Sequence, residues 1–366
     1  MGLTVPGRDT SHTRVVRRVF LFVLAVCCVT TASADDISPR IGLIQIYGAR
    51  KVSLDKIRTA LGVREGSLLP PSKSGVEERL DKISGVVASR LEATCCLDGK
   101  SILYVGIEEK DSPHFEFRPE PQGNVTLPKD LTDEYADFLD TVDQSIRLGE
   151  TGESLSNGYS VMDNPGAREH QRAFVSFAAK DLDALHRVIR ESSDPDQRAI
   201  AAYVLQYGPR GPRTTTQIVN DLQYALQDGD DTVRKNAIRS LAAMYVGAKF
   251  HPQDKVVVQP TWFVELLNSL DWSDRHNATQ ALVDMTEDHN ADTLNLIRER
   301  ALPSLIEMAN FRDLASALPA FILTGRLAGL SEKEIQEAWV GGNRQQVIKQ
   351  VAKSEKKPLL PFVKLP

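Results

Sequence analysis

The stretch DDTVRKNAIRSL at residues 230–241 sets Asp230 four positions before Arg234, so that on a helix a carboxylate and a guanidinium lie one turn apart. An acid and a base so placed could move a proton or grip a charged substrate. The same spacing recurs, which changes the reading. Asp194, Arg198, Ala201 and Leu205, then Asp230, Arg234, Ala237 and Leu241, then Asp271, Arg275, Ala278 and Leu282 each satisfy D-x-x-x-R-x-x-A-x-x-x-L. The arginines fall 36 and then 41 residues apart, close to the period of two-helix solenoid units. A scaffold repeats its residues at a structural period, whereas a reactive pair has no reason to.

Each letter then has a structural role. The Asp is expected to open the second helix of its unit as N-cap, and Pro195 directly after Asp194 suits the first helical position. The Ala is small enough for neighbouring units to approach, and the Leu one turn on fills their shared core. The Arg is placed to bridge to a neighbouring cap. On such a ladder, second-helix positions off the seam (Tyr203, Asn236, Arg239 and Thr279) are expected to face a partner.

Other chemistry finds little support. The sequence contains no GxSxG, HExxH, phosphate-binding or dinucleotide-binding motif. The run Asp284 to Asp292 is acidic but lacks the glycine of a calcium loop, and reads as a solvated connection, with a weak cation site as the alternative. No two histidines stand at i and i+4, and Trp262 and Trp272 read as core residues at repeat spacing. No cofactor, metal or catalytic residue is expected.

Residues 12–34 combine the basic lead Arg14, Arg17 and Arg18, an apolar run from Val19 to Val29, and Ala32-Ser33-Ala34. This is the pattern of a signal peptide cleaved after Ala34, and the run falls short of the roughly 20 residues of a membrane span. The product is expected to be periplasmic or secreted, without a membrane span in its mature form. With a formal charge of −5 before cleavage, it has no reason to seek nucleic acid. Cys27 and Cys28 leave with the leader. The adjacent Cys95 and Cys96 are too few for a disulfide framework and read as two free thiols on opposite faces of a strand.

The fold class expected is α+β in two domains. In residues 35–110, IGLIQIY reads as a strand, SLDKIRTALGV and GVEERLDKI as short helices, and GVVASRLEATCC and SILYVGIEE as strands joined by an Asp-Gly turn. That βααββ order, the stretch IYGARKVSLDKI, the loop at Gly66, Ile83-Ser84-Gly85-Val86 and the ending Gly106-Ile107-Glu108-Glu109 resemble a POTRA (polypeptide-transport-associated) module. The resemblance implies a small sheet with an edge suited to pairing with an extended strand. The tandem copies and barrel that usually accompany such modules do not follow, so transport is not implied.

Residues 111–164 read as a proline-rich extended linker, a helix with Leu131, Tyr135, Phe138, Leu139 and Val142 on one stripe, and a flexible loop at 149–164. Residues 165–355 form the solenoid, whose motif resembles HEAT repeats, and 356–366 an extended tail. A fourth unit is anticipated at FRDLASALPAFILTGRL, keeping Arg312 and Ala315 with Pro319 in place of the Leu. SEKEIQEAWV and NRQQVIKQVAK are expected to cap the array. The function expected is a non-enzymatic scaffold that binds protein partners through the solenoid and a sheet edge. The alternatives are an accessory factor for envelope protein assembly or export, and an enzyme with a site near the 149–164 loop.

Overall fold

The computed structural model describes residues 40–97 and 99–353. The leader and the 356–366 tail lie outside these. The chain begins with strand β1 (Ile41–Tyr47), helices α1 (Leu54–Leu61) and α2 (Lys73–Asp81), and strands β2 (Val86–Leu97) and β3 (Lys100–Glu109). Gly62 ends α1 in the left-handed region at φ 72°, and the Ser72 side chain caps α2 by accepting from Gly75 N–H at 3.0 Å. The sheet order is β1-β3-β2, with β1 parallel and β2 antiparallel to the central strand.

The run SILYVGI in β3 is buried without alternation because both faces of the sheet are covered. Leu103, Val105 and Ile107 meet Ile57 and Leu61 of α1 and Val76 and Leu80 of α2. Ile102 and Tyr104, with Leu43 and Tyr47 of β1, belong instead to the core of the helical half. Gly106 permits this close fit, since a Cβ there would stand 2.5 Å from the Leu270 carbonyl oxygen.

The helical half comprises α3 (Lys129–Leu148), a two-stranded ribbon of β4 (Glu153–Ser154) and β5 (Val161–Met162), α4 (Pro165–Lys180), and then helix pairs. These are α5 (Leu182–Glu191) with α6 (Pro195–Val204), α7 (Pro212–Ala225) with α8 (Asp231–Ala248), and α9 (Thr261–Leu266) with α10 (Trp272–Met285). After α11 (Ala291–Arg300), which the acidic run had hidden, come α12 (Leu302–Ala309) and α13 (Leu314–Leu327). Helices α14 (Glu332–Val340) and α15 (Arg344–Lys353) pack on α13 at the end of the array. Ser331 and Glu334 form a reciprocal capping box on α14.

Four expectations need correction. The fourth unit is shifted in register: Asp313 caps α13 by accepting from Ser316 N–H at 3.0 Å, so Ala317 occupies the arginine position and Ala320 the alanine position. Arg312 lies outside the helix and reaches Glu65 at 2.7 Å. The proline-rich segment is extended but docked: Arg118 N–H donates to the Gln227 carbonyl at 2.8 Å and Gly123 N–H to the Glu191 carbonyl at 2.8 Å, so the strap crosses the loops before α8 and α6. Segment 149–164 is not a free loop, because Ser160 and Met162 are buried. Cys95, expected as a thiol, is disulfide-bonded.

Candidate functional site

The repeated arginines bind in one way. Arg198 donates through Nε and Nη2 to Asp228, both at 2.8 Å, and through Nη1 to the Ser192 carbonyl at 2.9 Å. Arg234 donates Nε to Asp274 at 2.8 Å, Nη2 to Asp271 at 2.6 Å, and Nη1 to the Asp228 carbonyl at 2.9 Å. Arg275 donates to the Ser269 carbonyl and to Glu307. Each arginine thus ties the carbonyl six residues before it, in the loop ahead of its own helix, to an acid of the next unit. Arg198 and Arg234 are fully buried, so their many charge-assisted hydrogen bonds offset the cost of desolvation. Ala201, Ala237, Ala278, Leu205, Leu241 and Leu282 are all fully buried along the seam.

The capping aspartates are not equivalent. Asp194 accepts from Asp196 and Gln197 N–H, and Asp230 from Thr232 and Val233 N–H. Asp271 makes no side-chain cap, which corrects the role read from its spacing. Its oxygens go to Arg90 of β2 at 2.7 Å and to Arg234 at 2.6 Å. Glu92 of β2 takes over the cap, accepting from Trp272 and Ser273 N–H. Around this exchange Tyr104 stacks on Trp272 with centroids 4.3 Å apart, and Tyr47 O–H donates to the Leu270 carbonyl at 2.6 Å. Burial pushes the Glu92 carboxyl up, and the neighbouring Asp271 adds to the shift. Burial also pushes Asp274 up to about 7 against the pull of Arg234, and lowers the His276 imidazole beside Trp272.

The expected partner surface is largely internal. Tyr203, Asn236 and Thr279 are buried, which corrects their assignment as solvent-facing. The apolar stripe of α3 covers the first two: Tyr135 and Phe138 lie 5.5 and 5.3 Å from the Tyr203 ring, and Asn236 donates to the Tyr135 hydroxyl at 3.2 Å. Thr279 donates to the Arg275 carbonyl at 2.6 Å inside α10. Arg239 is half-exposed yet engaged, paired with Glu153 of the ribbon. Tyr207 O–H donates to the Ser160 carbonyl at 2.9 Å, and Ser160 N–H to Gln206 at 3.0 Å, which pins the ribbon to the solenoid. Burial raises the Tyr203 and Tyr207 hydroxyls and lifts Tyr135 to about 12, so all three stay protonated. The inner face of the first two units is therefore filled by the chain's own α3 and ribbon.

Several titratable groups elsewhere form pairs. His186 binds Asp221, which also binds Arg190, and His170 meets Glu134 at 2.7 Å. In the acidic run, Lys249 pairs with Glu287 at 2.7 Å, and burial pushes Asp284 up to about 6. Among the described residues no group of three or more His, Cys, Asp or Glu could hold a metal ion, and no helix is long and apolar enough to cross a membrane.

These elements define a helical-repeat solenoid with a small mixed sheet docked on it. No protein-family model matches the chain, and no curated protein matches it. Solved structures that align with it include an engineered protein at 17% identity over 51% of this chain and 91% of that one, with a TM-score of 0.33. A designed armadillo repeat protein aligns at 14% identity over 53% and 96%, TM-score 0.33, and another, in complex with a (KR)4 peptide, at 13% over 53% and 95%, TM-score 0.33. Superposition that weak carries no argument, and the assignment rests on the helix pairs and the arginine ladder.

Proposed function

We propose that the protein is a non-enzymatic scaffold that binds a protein partner on the uncovered edge of the α3 apolar stripe. The observation that supports this is an apolar surface left uncovered. Leu139 and Ile146 are 49% and 48% exposed along one edge of the stripe that α3 buries against Tyr203. Leu139 and Ile146 are seven residues apart and share a face, and the carboxylates of Asp137 and Asp140 have no partner among the described residues. Since the inner face is already filled, the partner is taken along this uncovered edge of α3.

The finer reading is a secreted or periplasmic protein, released by cleavage after Ala34, with a POTRA-like front module and an accessory role in envelope protein assembly or export. The leader pattern supports secretion, and the strand-helix-helix-strand-strand order supports the module. Crosslinking the mature chain in the periplasm of its own cell tests the scaffold. A specific protein adduct is expected, lost in the Leu139→Asp, Ile146→Asp double variant and kept in a Val340→Asp control, at another exposed apolar site. An adduct that survives the double variant would overturn the proposed surface. Mass spectrometry of the mature protein tests secretion, with Asp35 expected as the first residue.

A further inference from the structure

Between the ribbon and α4 lies a cavity of about 310 Å³, within the lower range of small-ligand sites. Its wall includes Asn157, Tyr159, Val161 and Asp163 from the ribbon side and Arg168 and Arg172 from α4. The polar groups fall into two sets. Arg168 is committed to the carbonyls of Met162 at 3.1 Å and Asp163 at 2.9 Å. The Arg172 guanidinium, the Asp163 carboxylate and the Asn157 amide have no partner among the described residues.

Nearby charges on this surface find one another, as Lys129 does Asp133, Arg147 does Asp143 and Lys180 does Asp130. Arg172 and Asp163 line one cavity without pairing. A simple anion there would meet Arg172, with Arg168 adding to the attraction, but would leave Asp163 unpaired, and a simple cation would leave Arg172 unpaired. Only a ligand that carries both signs complements both groups. We infer that the cavity binds a small zwitterion of the α-amino-acid type. Its carboxylate meets the Arg172 fork, its ammonium meets Asp163, and its side chain lies against Tyr159 and Val161. The Tyr159 ring is held in place by Tyr207, 5.1 Å away between centroids, so the apolar wall is formed before any ligand arrives.

Isothermal titration of the full mature chain tests this, using L-phenylalanine and the dipeptide Phe-Ala, with 3-phenylpropionate and phenethylamine as probes that each lack one charge. Saturable binding of at least one zwitterion is expected, at least tenfold tighter than either single-charge probe. The relative affinities of the two zwitterions distinguish a free amino acid from a peptide as the preferred source. Arg172→Gln and Asp163→Asn should each weaken binding tenfold or more, with partial recovery in Arg172→Lys. Both side chains are exposed, so unchanged thermal melting is expected to show that the variants fold. Absence of saturable binding by both zwitterions, or unchanged affinity in either variant, would overturn the inference. Neither result bears on the exposed edge of α3, so the scaffold reading stands or falls separately.

Discussion

In the second repeat unit Asp230 caps its own helix, and Arg234 closes the ladder from a fully buried position. In the third, Asp271 gives its oxygens to two arginines while Glu92 of β2 caps α10 from outside the solenoid. The motif is the same and the neighbours differ. Where the sheet docks, the sequence letter that would close a helix becomes an anchor for another part of the chain, and a residue from that part closes the helix in return. A repeat motif therefore fixes which groups are present at a seam, while the packing around it decides what each group does.

The largest effect expected from breaking this contrast comes from Arg234→Ala. It strips Asp271 and Asp274 of a fully buried partner and should cost about 3–5 kcal/mol in urea unfolding. Arg275→Ala should cost less than half as much, because its partner Glu307 is partly solvated. Equal losses would erase the distinction between an enclosed and an open rung.

Next in size, Asp271→Ala should cost about 2–3 kcal/mol, since Arg90 and Arg234 both lose an acceptor, whereas Asp230→Ala should cost about 1 kcal/mol as a lost cap. The same melts read the difference.

The pH dependence is smaller per step. Asp274 is raised from 3.8 to about 7 in the fold, so between about pH 4 and pH 7 the folded state holds a proton that the unfolded state has released. Stability should therefore fall as pH rises through that window, by at most roughly 1.4 kcal/mol per unit, and level off above it. Asp274→Asn should flatten this slope.

The smallest change should come from Glu92→Gln, which keeps an acceptor for the α10 N-terminus while removing a carboxylate already pushed up by burial. A cost below about 1 kcal/mol is expected in the same denaturation series.

The ladder was legible because its physics is local: an Asp, an Arg, an Ala and a Leu at fixed spacings on one helix specify cap, rung and seam. The cap exchange at Asp271 was not, because its competitor Glu92 arrives from a strand far away in the chain. The misread faces of Tyr203 and Asn236 follow from treating the solenoid as a bare array. A signal was present, since the stripe of Leu131, Tyr135 and Phe138 on α3 had to bury itself somewhere. An inner face carrying a tyrosine was a fitting place. The fourth unit slipped in register because Arg312 mimicked the motif while Asp313, the true cap, had no arginine four residues on. The cavity beside the ribbon had no sequence signature, since its wall is complete only once the ribbon side lies against α4.

Hydroxyl-radical footprinting of the native chain tests the central claim, that the solenoid's inner face is filled by its own α3, most directly. The account predicts that Tyr203 and Tyr135 oxidise as slowly as the fully buried Phe174, while the half-exposed Leu139 at the edge of the α3 stripe and the 62% exposed Phe250 oxidise quickly. Oxidation of Tyr203 at a rate comparable to that of Phe250 would contradict it.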